Sequence, residues 1–386
     1  MRNRILFFTF LEAIGSFLIT PILAIYLIHS LGMSKETVAI ATASLYFCRY
    51  IIAIPLGRLT DLLNPIHVMT MGALIRGFGY GILAFIAEGT IVFVAASLAL
   101  IGAGGALISP ASSKLLAQID GDNRLKFRLN SMMFSIGSAS ALMTISFVDK
   151  EYFSTVFYCS SIVFFVASIY TLTFRKKLSA LKNTPDKRTL SSIQITIRLA
   201  RQHALLLGML IAYTIAYSQL FYVLPLMVDK NSISHFYISC IYVINNAFFI
   251  FFQPLWQKFS PVKRIRSTAL LSALFYFLGY VILDIGFTPI SIVFFAVCYA
   301  FAGSILDALF LAELADQTVE SEMGTASGMA FMTRGAGLIA GNFIGLLTLN
   351  LDGSHSQYLP IYLALGVMAG LAAVKLKNKY NPPFIF

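Results

Sequence analysis

The chain has 386 residues, of which 58% are hydrophobic and only 12% are charged, and its formal net charge is +11. Because a soluble domain needs about a quarter charged residues to cover its surface, this composition excludes a soluble protein and indicates a chain solvated by lipid. Positive charge of this kind is typical of the loops of a membrane protein, so we predict no nucleic-acid partner.

Divided into spans of about 20 residues, the chain has room for roughly twelve transmembrane helices. In chain order, the apolar segments are 5–28, 37–57, 67–87, 90–113, 129–148, 152–174, 203–228, 234–256, 265–286, 289–312, 324–349 and 357–374. Helices are predicted because a single span must satisfy its own backbone hydrogen bonds, whereas a membrane barrel would show short alternating segments. The first segment is too long for the apolar part of a signal peptide, so we expect it to be the first span.

A polar stretch between the sixth and seventh segments divides the chain. We predict an N-terminal six-helix bundle in residues 1–174, a basic cytoplasmic linker in residues 175–202 and a C-terminal six-helix bundle in residues 203–386. Most of the 28 Lys and Arg residues fall in loops on one side, which predicts a multi-pass protein of the bacterial inner membrane with both termini in the cytoplasm. Within the linker, residues 191–201 fit either an amphipathic helix on the inner leaflet or a solvated segment.

Weak internal repeats relate the two predicted bundles. Ile54-Pro55-Leu56 matches Gln253-Pro254-Leu255, and Gly79-Tyr80 matches Gly279-Tyr280. Two halves in the same orientation imply a pseudo-twofold axis along the membrane normal, with a cavity between them. We therefore expect an all-α membrane protein of twelve transmembrane helices in two six-helix bundles.

Ionisable side chains within the spans are the first candidates for a functional site. Glu12, Arg49, Asp307 and Arg334 each lie inside an apolar segment, where a charge costs roughly 2.5–3.5 kcal/mol on insertion scales. We predict that they bind substrate or couple transport to protons. The alternative is that they form structural ion pairs. Because each pair lies on consecutive spans, Glu12 can pair with Arg49 and Asp307 with Arg334. The alternative for the second pair is that the two residues face different surfaces and Asp307 alone lines the cavity.

Other polar and aromatic side chains within the spans are candidates for the wall of the cavity. They are Tyr26, Tyr46, Tyr213, Tyr217, Gln219, Asn245 and Asn246. The alternative is that the aromatic members face lipid, where such rings are common. A cluster of acidic residues in the loop before the eleventh span, residues 313–322, either pairs with basic loops or is solvated.

Motifs for other chemistry are not found in the sequence. The four cysteines and five histidines have no metal-site spacing, so we predict no metal site. There is no phosphate-binding loop, no nucleophile elbow and no zinc-protease motif, so we predict neither a cofactor nor an enzymatic activity.

Two loop regions carry a family resemblance. The segment Gly57-Arg58-Leu59-Thr60-Asp61 follows the second span, and the glycine-rich fourth span, residues 102–110, is followed by Asp122-Asn123-Arg124. At these residues the chain resembles the major facilitator superfamily. The resemblance implies gating roles for Gly57, Asp61 and Arg124, with Asp61 holding the two halves together through a helix end or a basic partner.

Further segments are similar to the MdtH-type multidrug exporters of that superfamily. They are Ile75-Arg76-Gly77-Phe78-Gly79, Leu224-Pro225-Leu226-Met227-Val228 and Gly303-Ser304-Ile305-Leu306-Asp307. Two positions depart from drug/proton antiporters. Leu98 stands where they carry an Arg, and the fifth span has no Gly-x-x-x-Gly-Pro run.

The resemblance implies a secondary active transporter with alternating access. The expected activity is proton-coupled export, by an antiporter, of a small amphipathic drug or of a metabolite such as a siderophore. Its expected partners are a small-molecule substrate, protons or another coupling ion, and the lipid bilayer, and it is expected to be a monomer. One alternative is an importer of a small organic nutrient. A further alternative is a membrane enzyme or sensor on a transporter scaffold.

Overall fold

The structure is a computed structural model. It describes residues 1–20, 22–23, 26–86, 90–145, 148, 152–174, 192–220, 224, 227–228, 231–233, 236–253, 255–256, 265–349 and 358–373. All regular structure in these ranges is helical. Each predicted apolar segment contains a described helix. Five of these helices are long and apolar enough to cross a membrane alone, and two further pairs, bent by 43° and 76°, do so together.

The first half of the chain contains seven described α-helices. They are α1 (Arg2–Phe17), α2 (Lys35–Tyr46), α3 (Ala53–Leu62), α4 (Pro65–Phe85), α5 (Ile91–Ala117), α6 (Asn123–Ile145) and α7 (Phe153–Leu172). The second predicted span consists of α2, a π-helical turn at Phe47–Ile51 and α3. Pro55 has no N–H for the carbonyl of Ile51, and this explains the bend at the start of α3.

The second half has the same organisation after a short additional helix. Its described α-helices are α8 (Ser192–Gln202), α9 (Ala204–Ser218), α10 (Phe236–Ala247), α11 (Ile265–Ile285), α12 (Pro289–Gln317), α13 (Met323–Leu349) and α14 (Leu359–Ala373). A π-helical turn at Phe248–Phe252 precedes Gln253-Pro254-Leu255, just as Phe47–Ile51 precedes Ile54-Pro55-Leu56. The sequence repeat is therefore also a repeat of helix geometry.

Each half buries its own core. The first core contains Phe8, Phe157 and Phe164, and the second contains Tyr276 and Phe295. Burial in a membrane bundle depends on close packing of helices rather than on exclusion of water, because lipid tails are as apolar as the side chains.

Small residues allow close packing within the first half, between α4 and α5. A Cβ built on Gly104 would lie 2.5 Å from the carbonyl oxygen of Gly72, and one built on Gly72 would lie 2.8 Å from that of Gly104. Only hydrogen atoms fit at these two positions. The glycine-rich run of the fourth span is therefore required by the contact between two helix backbones.

Helix α8 forms within the predicted linker. Ile195 and Leu199 are buried, whereas Ile193 and Ile197 are exposed, and Arg198 forms an ion pair with Glu322 just before α13. One face of α8 thus packs on the bundle, and a second apolar face is left uncovered by the described residues. The rest of the linker, residues 175–191, lies outside the described residues.

Substituting Gly104 tests the contact between α4 and α5. Gly104→Ala places a methyl group against the backbone of α4, and overpacking of this kind costs about 1–3 kcal/mol. We expect a lower midpoint of thermal unfolding in detergent. Gly370→Ala is the matched control, because a Cβ at Gly370 has no neighbour within 4 Å. Equal midpoints for the two variants would contradict the packing role.

Candidate functional site

Asp61, near the end of α3, binds the first turn of α13 in the other half. Its Oδ1 accepts a hydrogen bond from the backbone N–H of Gly324 at 2.8 Å. Its Oδ2 accepts from the backbone N–H of Thr325 at 2.7 Å and from the Thr325 hydroxyl at 2.6 Å. The Lys114 ammonium of α5 lies 3.1 Å from Oδ1. We call Asp61, Lys114, Gly324 and Thr325 the latch.

The physical basis of the latch is the unsatisfied start of a helix. The first N–H groups of an α-helix have no partner within the helix, and they carry partial positive charge that favours a carboxylate. Asp61 supplies that carboxylate from the first half of the chain. A lysine of its own half and a helix N-terminus of the other half therefore share one negative charge.

Direct backbone contact between α3 and α13 continues the latch. A Cβ on Gly57 would overlap the carbonyl oxygen of Gly324, and one on Gly328 would overlap that of Ala53. Gly57, for which the sequence predicted a gating role, thus lies in direct backbone contact with the other half.

A second contact between the halves lies at the same end of the bundle, between α6 and α12. The Arg124 guanidinium lies 3.7 Å from the Glu313 carboxylate, and the Asn123 amide donates a hydrogen bond to Asp316 at 2.6 Å. Two members of the acidic cluster thus pair with the basic loop after the fourth span. Together with the latch, these contacts close this end of the bundle, which we call the latch end.

Two tyrosines of the second span differ in their surroundings on the side away from the latch. Tyr50 packs directly against Gly335 of α13. One turn further from the latch, Tyr46 stacks on Tyr50, with ring centroids 6.4 Å apart and planes 4° apart. Residues four apart lie on the same helix face, yet Tyr46 is 49% exposed. Tyr46 is therefore only half enclosed by protein, whereas Tyr50 packs on α13.

Asp307 of α12 and Arg334 of α13 meet at mid-span. Arg334 Nη2 lies 2.8 Å from Asp307 Oδ1, and both side chains are 24% exposed. The Tyr213 hydroxyl also donates to Asp307, at 3.4 Å. A paired carboxylate that is still partly accessible can exchange its partner or take up a proton.

Glu12 pairs with Arg76 of α4, not with Arg49 as the order of spans predicted. Arg76 Nη1 lies 3.1 Å from Glu12 Oε1, and the side chains are 2% and 9% exposed, respectively. Arg76 lies in the middle of the third span, so it too is an ionisable side chain within an apolar segment and meets the criterion that singled out Glu12 and Arg49. The prediction failed because helices that follow one another in sequence need not present facing side chains.

Arg49 lies beside the same pair. A Cβ on Gly105 would lie 3.7 Å from Arg76 Nη1 and 3.9 Å from Arg49 Cγ. The Arg49 guanidinium also lies over the ring of Tyr50, 5.8 Å from its centroid. Absence of a side chain at Gly105 thus makes room for two arginines.

The predicted cavity wall divides into exposed and buried members. Tyr46, Tyr217, Asn245 and Asn246 are at least partly exposed, and Asn246 accepts a hydrogen bond at 3.0 Å from Ser138 in the other half. Tyr26, Tyr213 and Gln219 are only 3%, 1% and 1% exposed. The Gln219 amide donates to the carbonyl of Gly341 at 2.8 Å, and the Tyr26 hydroxyl donates to that of Leu83 at 3.3 Å. Tyr26 and Gln219 thus take part in the packing between helices, whereas Tyr213 is buried beside Asp307.

Comparison with known proteins identifies this architecture. The sequence model of the Major Facilitator Superfamily matches residues 5–342. The chain belongs to the Major Facilitator Superfamily. It is 23% identical to the multidrug resistance protein MdtH of Yersinia pestis (strain Pestoides F) over 312 residues, which cover 78% of this chain and 75% of that protein.

Solved structures show the same superfamily fold. The human organic anion transporter MFSD10 (TETRAN) matches with a TM-score of 0.76 at 14% identity, covering 96% of this chain and 99% of that one. The superfamily transporter FucP matches with a TM-score of 0.71 at 16% identity, covering 96% and 97%. The predicted fold of two six-helix bundles and the predicted family are confirmed. The chain is a membrane transporter of this superfamily.

Neutralising Asp61 should open the latch end without unfolding the transporter. Asp61→Asn removes the charge and turns one acceptor into a donor that faces other donors, and hydrogen bonds to charged groups contribute about 1.5–3 kcal/mol. The reporter is Thr60→Cys in a background without the native cysteines, since Thr60 is fully buried against Gly324. We expect faster labelling of the reporter cysteine in Asp61→Asn, but not in the exposed loop variant Asp120→Asn. Equal labelling rates would show that Asp61 does not hold the halves together.

A double-mutant cycle tests the partner of Glu12. Glu12→Gln and Arg76→Gln each leave one charge buried and unpaired, which costs about 3–5 kcal/mol, and the double variant should recover part of the loss. The control cycle combines Glu12→Gln with Arg49→Gln and should show a weaker coupling. Thermal unfolding in detergent measures both. Stronger coupling of Glu12 to Arg49 than to Arg76 would overturn the observed pairing.

Proposed function

We propose that this chain is a proton-coupled exporter of a small amphipathic compound, working as an antiporter by alternating access in the inner membrane. Asp307 is the proton acceptor, Arg334 is its exchangeable partner, and the latch closes the cytoplasmic side. The direction of transport rests on the similarity to MdtH, which is a multidrug resistance protein.

The contrast between the two mid-span ion pairs carries the proposal. Glu12 and Arg76 are sealed within the first half, whereas Asp307 and Arg334 remain 24% exposed at 2.8 Å separation. A carboxylate couples protons to transport only if its surroundings change between states, because a ligand or proton shifts an equilibrium by its different affinity for the two states. Asp307 has the access that such a change requires, so it is the stronger candidate.

Helix α13 provides a physical route from Asp307 to the latch. Arg334 and the latch residue Thr325 lie on the same helix, about 14 Å apart by helix rise. Protonation of Asp307 removes the negative partner of Arg334. The resulting shift of α13 acts on its own N-terminus, where Asp61 binds, so a charge change at mid-span alters closure at the latch end.

Charge distribution supports a cytoplasmic position of the latch. Lys114, Arg124 and Arg198 lie at or near the latch end, and loops rich in lysine and arginine stay in the cytoplasm. With the latch closed, the proposed substrate cavity lies on the far side of Tyr46 from the latch and faces the outside. FucP, which shares the fold, is described in an outward conformation.

Transport in proteoliposomes tests the role of Asp307. We expect Asp307→Asn to lower pH-gradient-driven transport of an active compound at least tenfold, because the variant cannot exchange a proton at that position. The compound is chosen from a panel of fluorescent amphipathic molecules of each charge. The matched control is Asp284→Asn, which changes a carboxylate hydrogen-bonded to Tyr362.

Two outcomes would contradict the proposal. Normal gradient-driven transport by well-folded Asp307→Asn would exclude Asp307 as the proton acceptor. The direction of transport is tested in intact cells. Uptake of the compound that stops when the proton gradient is dissipated would identify an importer, whereas for an exporter dissipation raises the amount of compound that the cells retain.

A further inference from the structure

The charges of the mid-span residues do not balance. We call these residues, Glu12, Arg49, Arg76, Asp307 and Arg334, the mid-span cluster. Glu12 neutralises Arg76, and Asp307 neutralises Arg334. Arg49 is the remaining cation. Within the described part of the chain its guanidinium contacts no carboxylate within 4 Å; it lies over the ring of Tyr50 and is attracted at longer range by the Glu12 carboxylate. The cluster thus has one positive charge in excess.

A guanidinium within a membrane span that contacts no carboxylate is expensive and marks a functional site by default. Arginine keeps its charge under all physiological conditions, so it cannot avoid the cost by losing a proton. Glu12 relieves it only at a distance, since that carboxylate is in direct contact with Arg76. An anionic group from outside the chain would give Arg49 the contact partner that the described residues do not provide.

The residues around Arg49 indicate what else a ligand of its guanidinium would contain. Arg49 is partly exposed, and its neighbours Tyr46 and Phe47 are 49% and 52% exposed. The Tyr46 ring stacks parallel to that of Tyr50 and presents a flat surface on which an aromatic ligand can stack. A cation and an aromatic surface on the same turn suit a molecule with an acidic group and an aromatic body.

We propose that the substrate is an amphipathic aromatic monoanion, and that Arg49 binds its carboxylate or sulfonate. This inference rests on the proposed function and names its substrate class. The planar guanidinium offers two parallel N–H donors to such a group. A single negative charge balances the cluster, whereas a dianion leaves an excess of negative charge and a cationic substrate adds to the existing excess. Arg49 therefore selects the charge of the substrate, and Asp307 couples its transport to protons.

Equilibrium binding tests this inference without any transport assay. The probes are 2-naphthoate, the neutral 2-naphthalenemethanol and the cationic 2-naphthylmethylammonium, added to purified protein in a non-ionic detergent. A ligand that prefers the folded state raises the midpoint of thermal unfolding. We expect stabilisation by naphthoate above that by the other two probes, and calorimetry should show at least tenfold weaker naphthoate binding to Arg49→Gln.

Two further variants separate charge from folding. Arg49→Lys keeps the charge but loses the paired donors, so we expect intermediate affinity. Arg266→Gln removes a cation at the start of α11, away from the cluster, and should bind naphthoate as wild type does. If Arg49→Gln fails to fold, the comparison of Arg49→Lys with Arg266→Gln still decides the role of Arg49.

Several results would overturn the inference. Equal or stronger binding of the neutral or cationic probe would exclude selection of an anion, as would an absence of naphthoate binding up to its solubility. Displacement of naphthoate by phosphatidylglycerol would assign Arg49 to a lipid headgroup instead. Binding is measured without a proton gradient, so the result does not depend on whether the protein performs proton-driven export. Conversely, an absence of selective naphthoate binding would not contradict proton coupling by Asp307.

Discussion

The cost of charge inside a membrane bundle governs the arrangement of this transporter. Glu12, Asp61 and Asp307 each lie within 3.1 Å of a cation, and Asp61 also uses the N-terminus of a helix. These contacts decide which helices meet. The Glu12–Arg76 pair joins α1 to α4, Asp307–Arg334 joins α12 to α13, and Asp61 joins the two halves.

The three contacts differ in how easily they can change. The Glu12–Arg76 pair is sealed, so breaking it leaves a bare charge in a region of low dielectric. Asp307 and Arg334 are partly accessible and can exchange partners at lower cost. The latch joins the two halves, so all of its hydrogen bonds break together when the halves move apart. Under the proposed mechanism, the sealed pair stabilises the first half, the accessible pair exchanges its partner, and the latch opens when the halves move against each other.

Backbone contact between glycines makes these charge contacts possible. Gly57 and Gly324 let α3 and α13 approach until Asp61 reaches the first N–H groups of α13, and Gly105 leaves room for Arg49 and Arg76. Side chains at these positions would hold the helices apart by more than a hydrogen bond can span. Small residues and buried charges are therefore two aspects of one constraint, since short-range contacts between charges need close backbones.

The sequence by itself determined the membrane environment, the helical segments, the duplication and the family. Each of these follows from local composition or from motifs such as Gly57 to Asp61, because a span of about 20 apolar residues has one structural solution in lipid. It also marked most of the charged residues of the site, since a charge within a span is conspicuous. Only the tertiary structure decided their partners. Glu12 faces Arg76 rather than Arg49, and Tyr26 and Gln219 point into helix packing, because the rotation and neighbours of each helix depend on contacts between segments far apart in the chain.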